Sequence, residues 1–187
     1  MIAAVVLSAG ESSRMGRPKA PLPFDGETFI EKIVGALKKT SVGRIIVILG
    51  HNADELTRRI EHLPVEVLVN LDYKQGQLSS LQVAVRRLEE GADCEGMLVH
   101  LVDHPYIDAK LVDLMMRRFY ETGRLIVVPR FAGKRGHPVI FSSKLFQELL
   151  DAPMEQGAKA VVNAHRAETL EIETADEGIT LDIDTPE

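Results

Sequence analysis

Residues 2–19 read IAAVVLSAGESSRMGRPK, and this stretch decides the fold. Residues 2–7 are continuously apolar and rich in β-branched side chains. Such a run, cut off by small polar residues, predicts a strand buried on both faces, as in the interior of a parallel sheet. It is shorter than a secretory hydrophobic segment and has no basic leader. The loop that follows is built of small residues that let a backbone approach a ligand closely, and its successive N–H groups suit an anion. Arg14, Arg17 and Lys19 set three positive charges against the single carboxylate of Glu11. The loop matches neither a Walker A sequence nor a G-x-G-x-x-G fingerprint. On residues alone, phosphate binding and a solvated loop both remain open.

Further apolar, β-branched runs at 44–49, 65–69, 97–102 and 125–128 predict more buried strands. Helical spacing covers 28–39, 53–61, 78–90 and 109–121, with Asp108 as an N-cap for the last. This alternation predicts an α/β protein, a three-layer sandwich around a mainly parallel but mixed twisted sheet. Beyond Pro129 come a Gly- and Arg-rich loop at 130–138, an extended run at 139–142 and helices near 143–150 and 156–164. Edge strands are predicted at 169–172 and 180–183. No repeat or linker divides the chain, so one domain over 1–187 is expected.

The bulk numbers narrow the function. A formal net charge of −6 argues against a general nucleic-acid binder. No stretch approaches the ~20 apolar residues of a membrane-spanning helix. One cysteine, Cys94, excludes an internal disulfide and suits a reducing cytoplasm.

In open α/β sheets the ligand lies beyond the carboxyl ends of the strands, and chemistry-bearing residues follow these runs. After 97–102 comes Asp103-His104-Pro105. A carboxylate there suits Mg²⁺ held against phosphate oxygens, and a turn or cap role before Pro105 suits it equally. At the carboxyl end, Leu181-Asp182-Ile183-Asp184-Thr185-Pro186-Glu187 puts Asp182 and Asp184 on one face if the backbone is extended. The alternative there is a frayed acidic tail. After 65–69, Gly76 permits a tight turn, and Ser79 and Ser80 stand at the start of a helix, where capping alone would account for them. Gly133-Lys134-Arg135-Gly136-His137-Pro138 is a basic, glycine-rich loop suited to an anionic ligand or, equally, to a solvated hairpin.

With these motifs in place, the chain resembles the nucleotidyltransferases that act on molybdenum cofactor. LSAGESSRMGRPKAPLP at 7–23 and DIDTPE at 182–187 carry the resemblance most specifically. The loop looks more like the cytidylyltransferase branch, L-A-A-G-x-S-x-R-M-G-x-x-K, than the guanylyltransferase branch with L-A-G-G. The resemblance implies a nucleotide-diphospho-sugar transferase type of fold and a cytoplasmic, Mg²⁺-dependent transfer of NMP from an NTP to a phosphorylated acceptor, releasing pyrophosphate. It implies CTP rather than GTP, because Ala9 replaces a glycine of the guanine-using enzymes, and molybdopterin as acceptor. It brings in a molybdoenzyme as a candidate partner, and neither nucleic acid nor membrane.

Carried over residue by residue, the resemblance gives Arg14, Lys19 and Asp103 catalytic roles. Leu7, Ser8, Ala9, Gly10, Arg14, Lys19, Gly76, Gln77, Ser79 and Ser80 would bind nucleotide. Asp103 and Asp184, with Asp182 as second choice, would hold metal. Gly136, His137 and Lys159 would face the acceptor. Two departures stand out: His104 where the family often has Gln, and Gln156-Gly157-Ala158-Lys159 where relatives carry G-D-x-G-A-R. Lysine does not reproduce a bidentate arginine contact, which leaves open another acceptor, such as a sugar phosphate. The different class to weigh is a non-catalytic carrier of nucleotide or cofactor.

Overall fold

Ile2–Ser8 (β1) is buried at every position, which a strand achieves only with neighbours on both edges and layers on both faces. The computed structural model describes residues 1–10, 23–24, 26–91 and 93–183. A small hairpin, Pro23–Phe24 (β2) and Glu27–Thr28 (β3), leads into Phe29–Leu37 (α1). The helix begins at a capping box: the Thr28 side chain accepts from the Glu31 N–H while the Glu31 carboxylate accepts from the Thr28 N–H. Arg44–Leu49 (β4), Ala53–Ile60 (α2) and Glu66–Val69 (β5) follow, then Gln77–Glu89 (α3), Gly96–Leu101 (β6) and Ala109–Thr122 (α4). Asp108 caps α4 as expected, its side chain accepting from the Lys110 N–H. The rest comprises Ile126–Phe131 (β7), Lys134–Arg135 (β8), Val139–Ser142 (β9), Phe146–Asp151 (α5), Lys159–Ala164 (α6) and Thr169–Glu173 (β10).

The main sheet runs β10-β7-β9-β6-β1-β4-β5, with β8 paired to β7. β1 pairs in parallel with β4 and β6, β4 with β5, and β10 with β7. β9 lies antiparallel between β6 and β7, which makes the sheet mixed. Side-chain alternation divides β1 between two cores. Ile2, Ala4 and Val6 pack with α1, α2 and α4, whereas Ala3, Val5 and Leu7 pack with α3, α5 and α6. The result is the expected three-layer α/β sandwich.

Two local expectations are corrected. Residues 180–183 are not an edge strand: Glu177–Thr180 is a 3-10 turn started by the Asp176 side chain, which accepts from the Gly178 N–H at 2.8 Å. The loop at 130–138 contains a short antiparallel pair, β7 with β8, closed by Gly133 at φ +82°. Among the described residues no helix is long and apolar enough to cross a membrane.

Candidate active site

The carboxyl ends of β1 and β6 lie side by side, and the Val102 N–H continues their pairing to the Leu7 carbonyl at 3.1 Å. Beyond them opens a cavity of about 240 Å³ lined by Leu7, Ser8, Ala9, Gly10, Tyr73, Gly76, Gln77, Ser80, Leu101, Val102 and Asp103. It joins the loop after β1, the start of α3 and the carboxylate after β6, three segments far apart in sequence. Gly50 makes the close packing possible: a Cβ there would meet Tyr73 Cβ at 2.6 Å and the Ala9 carbonyl at 2.7 Å.

The amino end of α3 faces this cavity. Its N-cap is Gly76 at φ 105°, and no side chain caps the helix. The Ser79 N–H turns back to the Gly76 carbonyl at 3.2 Å, which leaves the N–H groups of Gln77 and Leu78 for a ligand, where helix ends favour negative charge. Ser79 does not line the cavity. It is buried, and its hydroxyl donates to the Gly76 carbonyl at 2.7 Å with the Asp72 carbonyl at 3.1 Å. That is a loop-closing role, not the side-chain cap its sequence position suggests.

Asp103 sits on the cavity wall with about 28% of its side chain exposed. The tail returns to it: the Ile183 N–H donates to the Asp103 carbonyl at 2.8 Å. Asp182, beside Ile183, is exposed. Arg14, Lys19 and Asp184 lie outside the described residues.

Near Asp103 three histidine rings gather: His100 from β6, His104 from the turn after it and His137 from the turn before β9. The His104 and His137 centroids are 5.0 Å apart, and those of His100 and His137 6.5 Å. His100 Nε2 donates to the His104 carbonyl at 2.7 Å, which fixes its tautomer. Burial pushes the His100 imidazole down to about 3, and that hydrogen bond opposes the shift only in part. Burial, then the neighbouring His104, lowers His137 to about 4 against the pull of Asp103. Both rings are therefore neutral at ordinary pH. Among the described residues no group of three or more His, Cys, Asp or Glu is arranged to hold a metal ion.

A second cavity, about 410 Å³, shares Leu7 and Gln77 with the first. Leu78, Leu81, Val99, Val139, Phe141 and Met154 give it apolar walls, and Gln77, His137, Glu155, Gln156 and Lys159 its polar groups. His137 and Lys159 of the expected acceptor set thus face one space, whereas Gly136 does not. A Cβ at Gly136 would run into the Ile179 carbonyl, so this glycine permits the turn before the tail to pack against β8.

Of the ten residues expected around the nucleotide, seven line the first cavity: Leu7, Ser8, Ala9, Gly10, Gly76, Gln77 and Ser80. Sequence reasoning passed over Tyr73. An aromatic side chain next to a glycine-permitted turn was its only signal.

A family model described as MobA-like NTP transferase domain matches residues 4–169. The molybdenum cofactor cytidylyltransferase of Escherichia coli K12 is 28% identical over 185 residues, covering 98% of this chain and 91% of that protein. A Mycobacterium tuberculosis protein named "Probable molybdenum cofactor guanylyltransferase" is 34% identical over 132 residues, covering 68% of this chain and 61% of that protein. Among solved structures, Rv0371c from Mycobacterium tuberculosis H37Rv superposes with a TM-score of 0.85 at 29% identity, covering 98% of this chain and 92% of that one. A manganese complex of Rv0371c matches with a TM-score of 0.78 at 25% identity, covering 92% and 88%.

Proposed function

We propose a function from one premise: the chain belongs to the MobA-like NTP transferase domain family and is a nucleotidyltransferase related to the molybdenum cofactor cytidylyl- and guanylyltransferases. Acting as one cytoplasmic domain, it transfers CMP from CTP to a phosphorylated acceptor of the molybdopterin kind and releases pyrophosphate. The observation that carries this reading is the pair of cavities meeting at Leu7 and Gln77. Two reactants seated on either side of one wall are held for reaction with each other.

The acceptor phosphate oxygen forms a new bond to the α-phosphorus as the bond to the β-phosphate bridging oxygen breaks. A phosphate nucleophile is already ionised near neutrality, so the neutral His137 is not required as a base. The chain's task is alignment and charge neutralisation. The backbone of Ser8–Gly10 and the amino end of α3 receive phosphate oxygens, and Arg14 and Lys19 add positive charge on the strength of the family resemblance. Asp103 suits a divalent ion, since Mg²⁺ needs only one or two carboxylates beside phosphates and waters. Asp184, with Asp182 as second choice, would complete the set. When bound, Mg²⁺ supplies charge neutralisation on the triphosphate and the departing pyrophosphate.

CTP is favoured over GTP because Ala9 carries a methyl group on the cavity wall and because the cytidylyltransferase relative matches nearly the whole chain. The apolar walls of the second cavity favour a ring-bearing acceptor over a sugar phosphate, with Lys159 for its phosphate. The test is pyrophosphate release measured with CTP, GTP, ATP and UTP in Mg²⁺ or Mn²⁺, with molybdopterin or a sugar phosphate as acceptor. CTP-dependent release that requires molybdopterin is expected. Nucleotide binding without release from any pair would make the protein a carrier.

A further inference from the structure

Asn70 is 2% exposed, in the connection between β5 and α3, and both ends of its side-chain amide are hydrogen-bonded. Its Oδ1 accepts the Asp72 N–H at 2.9 Å. Because that contact needs an acceptor, the Nδ2 end must face the serines, which removes the usual amide ambiguity. Nδ2 donates to Ser79 Oγ at 2.8 Å and to Ser80 Oγ at 2.9 Å. A serine hydroxyl has one proton and two lone pairs. The Ser79 proton goes to the Gly76 carbonyl. Ser80 spends a lone pair on Asn70, and its proton meets no acceptor among the described residues although its side chain is buried and lines the first cavity. A buried hydroxyl proton without a protein partner is costly unless a water or ligand in the cavity supplies the acceptor.

We infer that Asn70 is a positioning residue: it holds the Ser80 hydroxyl as a donor turned into the cavity, for an oxygen or nitrogen lone pair of the bound nucleotide. The inference rests on the nucleotide reading of that cavity. Its test is the Asn70→Asp variant. A carboxylate still accepts the Asp72 N–H, but it offers the serines no donor, so Ser80 must turn its proton to the carboxylate and away from the ligand.

Nucleotide affinity and steady-state kinetics are measured for wild type, Asn70→Asp, Ser80→Ala and the double variant, each with its melting temperature. Losing one hydrogen bond to a ligand acceptor should weaken CTP binding about tenfold in each single variant. KM for the nucleotide should rise, kcat should stay near wild type, and the double variant should be no worse than either single one. Ser80→Ala removes only the donor and should melt within a few degrees of wild type. Normal affinity in Ser80→Ala, or independent and multiplying losses in the double variant, overturns the inference. Should Asn70→Asp fail to fold, Asn70→Ala takes its place in the same cycle: it also removes the donor that orients Ser80 and should weaken CTP binding to the same extent, and normal affinity in it overturns the inference. Wild-type protein that binds none of the four NTPs defeats the nucleotide reading itself.

Discussion

Ile183 donates its backbone N–H to the carbonyl oxygen of Asp103 at 2.8 Å, so the carboxyl-terminal segment is tied to the residue proposed to hold the metal. The tie uses main chain on both sides, independent of which side chain stands at 183. Ile183 also packs, half-buried, against the core on the α1/α4 side of the sheet. Ile183→Pro removes the donor along with the side chain, whereas Ile183→Ala removes only the packing. The proline variant is expected to lose at least about tenfold more kcat/KM than the alanine variant, since misplacement near reacting groups costs far more in rate than in stability. Steady-state pyrophosphate release by both variants checks this, and equal losses would leave the tie without a functional role.

Asp103 itself is partly exposed on the cavity wall, so truncating it creates no buried cavity. Asp103→Ala is expected to fold with a melting temperature within a few degrees of wild type and to lose turnover by about 100-fold or more, the scale on which removing one electrostatic stabiliser acts. Near-normal turnover in Mg²⁺ would remove Asp103 from the metal site.

These two residues show what could be read from the sequence. Asp103 was legible because it follows an apolar run, and strand ends in open sheets face the ligand. The seven cavity residues around the end of β1 and the start of α3 were named through the family resemblance, since on spacing alone a solvated loop and helix capping would account for them equally. The turn at Glu177–Thr180 was not legible: apolar residues at 179, 181 and 183 alternate as in a strand, but their backbone hydrogen bonds run to His137, Gly178 and Asp103, none of which lies in a strand. The antiparallel insertion of β9 was equally hidden, because periodicity reports which faces are buried and says nothing of strand direction. Asn70 reads as an ordinary turn residue until the two serines are brought to it.

The buried His100 gives stability a pH dependence whose sign follows from its lowered value. The unfolded chain takes up a proton near 6.5, whereas the folded protein does so only near 3. Between these values the unfolded state binds more protons, so stability falls as pH drops. Above about pH 7 this residue contributes no slope. From pH 7 to pH 5 it should cost about 2 kcal/mol, and His137, lowered to about 4, adds in the same direction. Denaturant unfolding at pH 5, 6 and 7 measures the slope. His100→Gln, which keeps a donor for the His104 carbonyl, should flatten it; an unchanged slope would assign the dependence elsewhere.

Two glycine-to-alanine substitutions should move stability in opposite directions. Gly35 lies within α1, and a Cβ there would meet nothing within 4 Å. Alanine loses less conformational freedom in a helix, so Gly35→Ala should stabilise by about 0.5–1 kcal/mol. Gly136 is the reverse case. Its N–H donates to the Pro129 carbonyl at 3.0 Å, and the His137 N–H donates to the Ile179 carbonyl at 2.9 Å, which holds the glycine against the turn where an added Cβ would clash. Gly136→Ala should therefore cost about 1–3 kcal/mol, the range for forced overpacking. Because the displaced turn leads directly to the segment tied to Asp103, turnover should fall with it although Gly136 lines neither cavity. Thermal melts and pyrophosphate release on the two variants test both halves of the expectation. A Gly136→Ala protein as stable as wild type would mean that the Ile179 turn is free to move aside, and full activity in a destabilised one would uncouple that turn from Asp103.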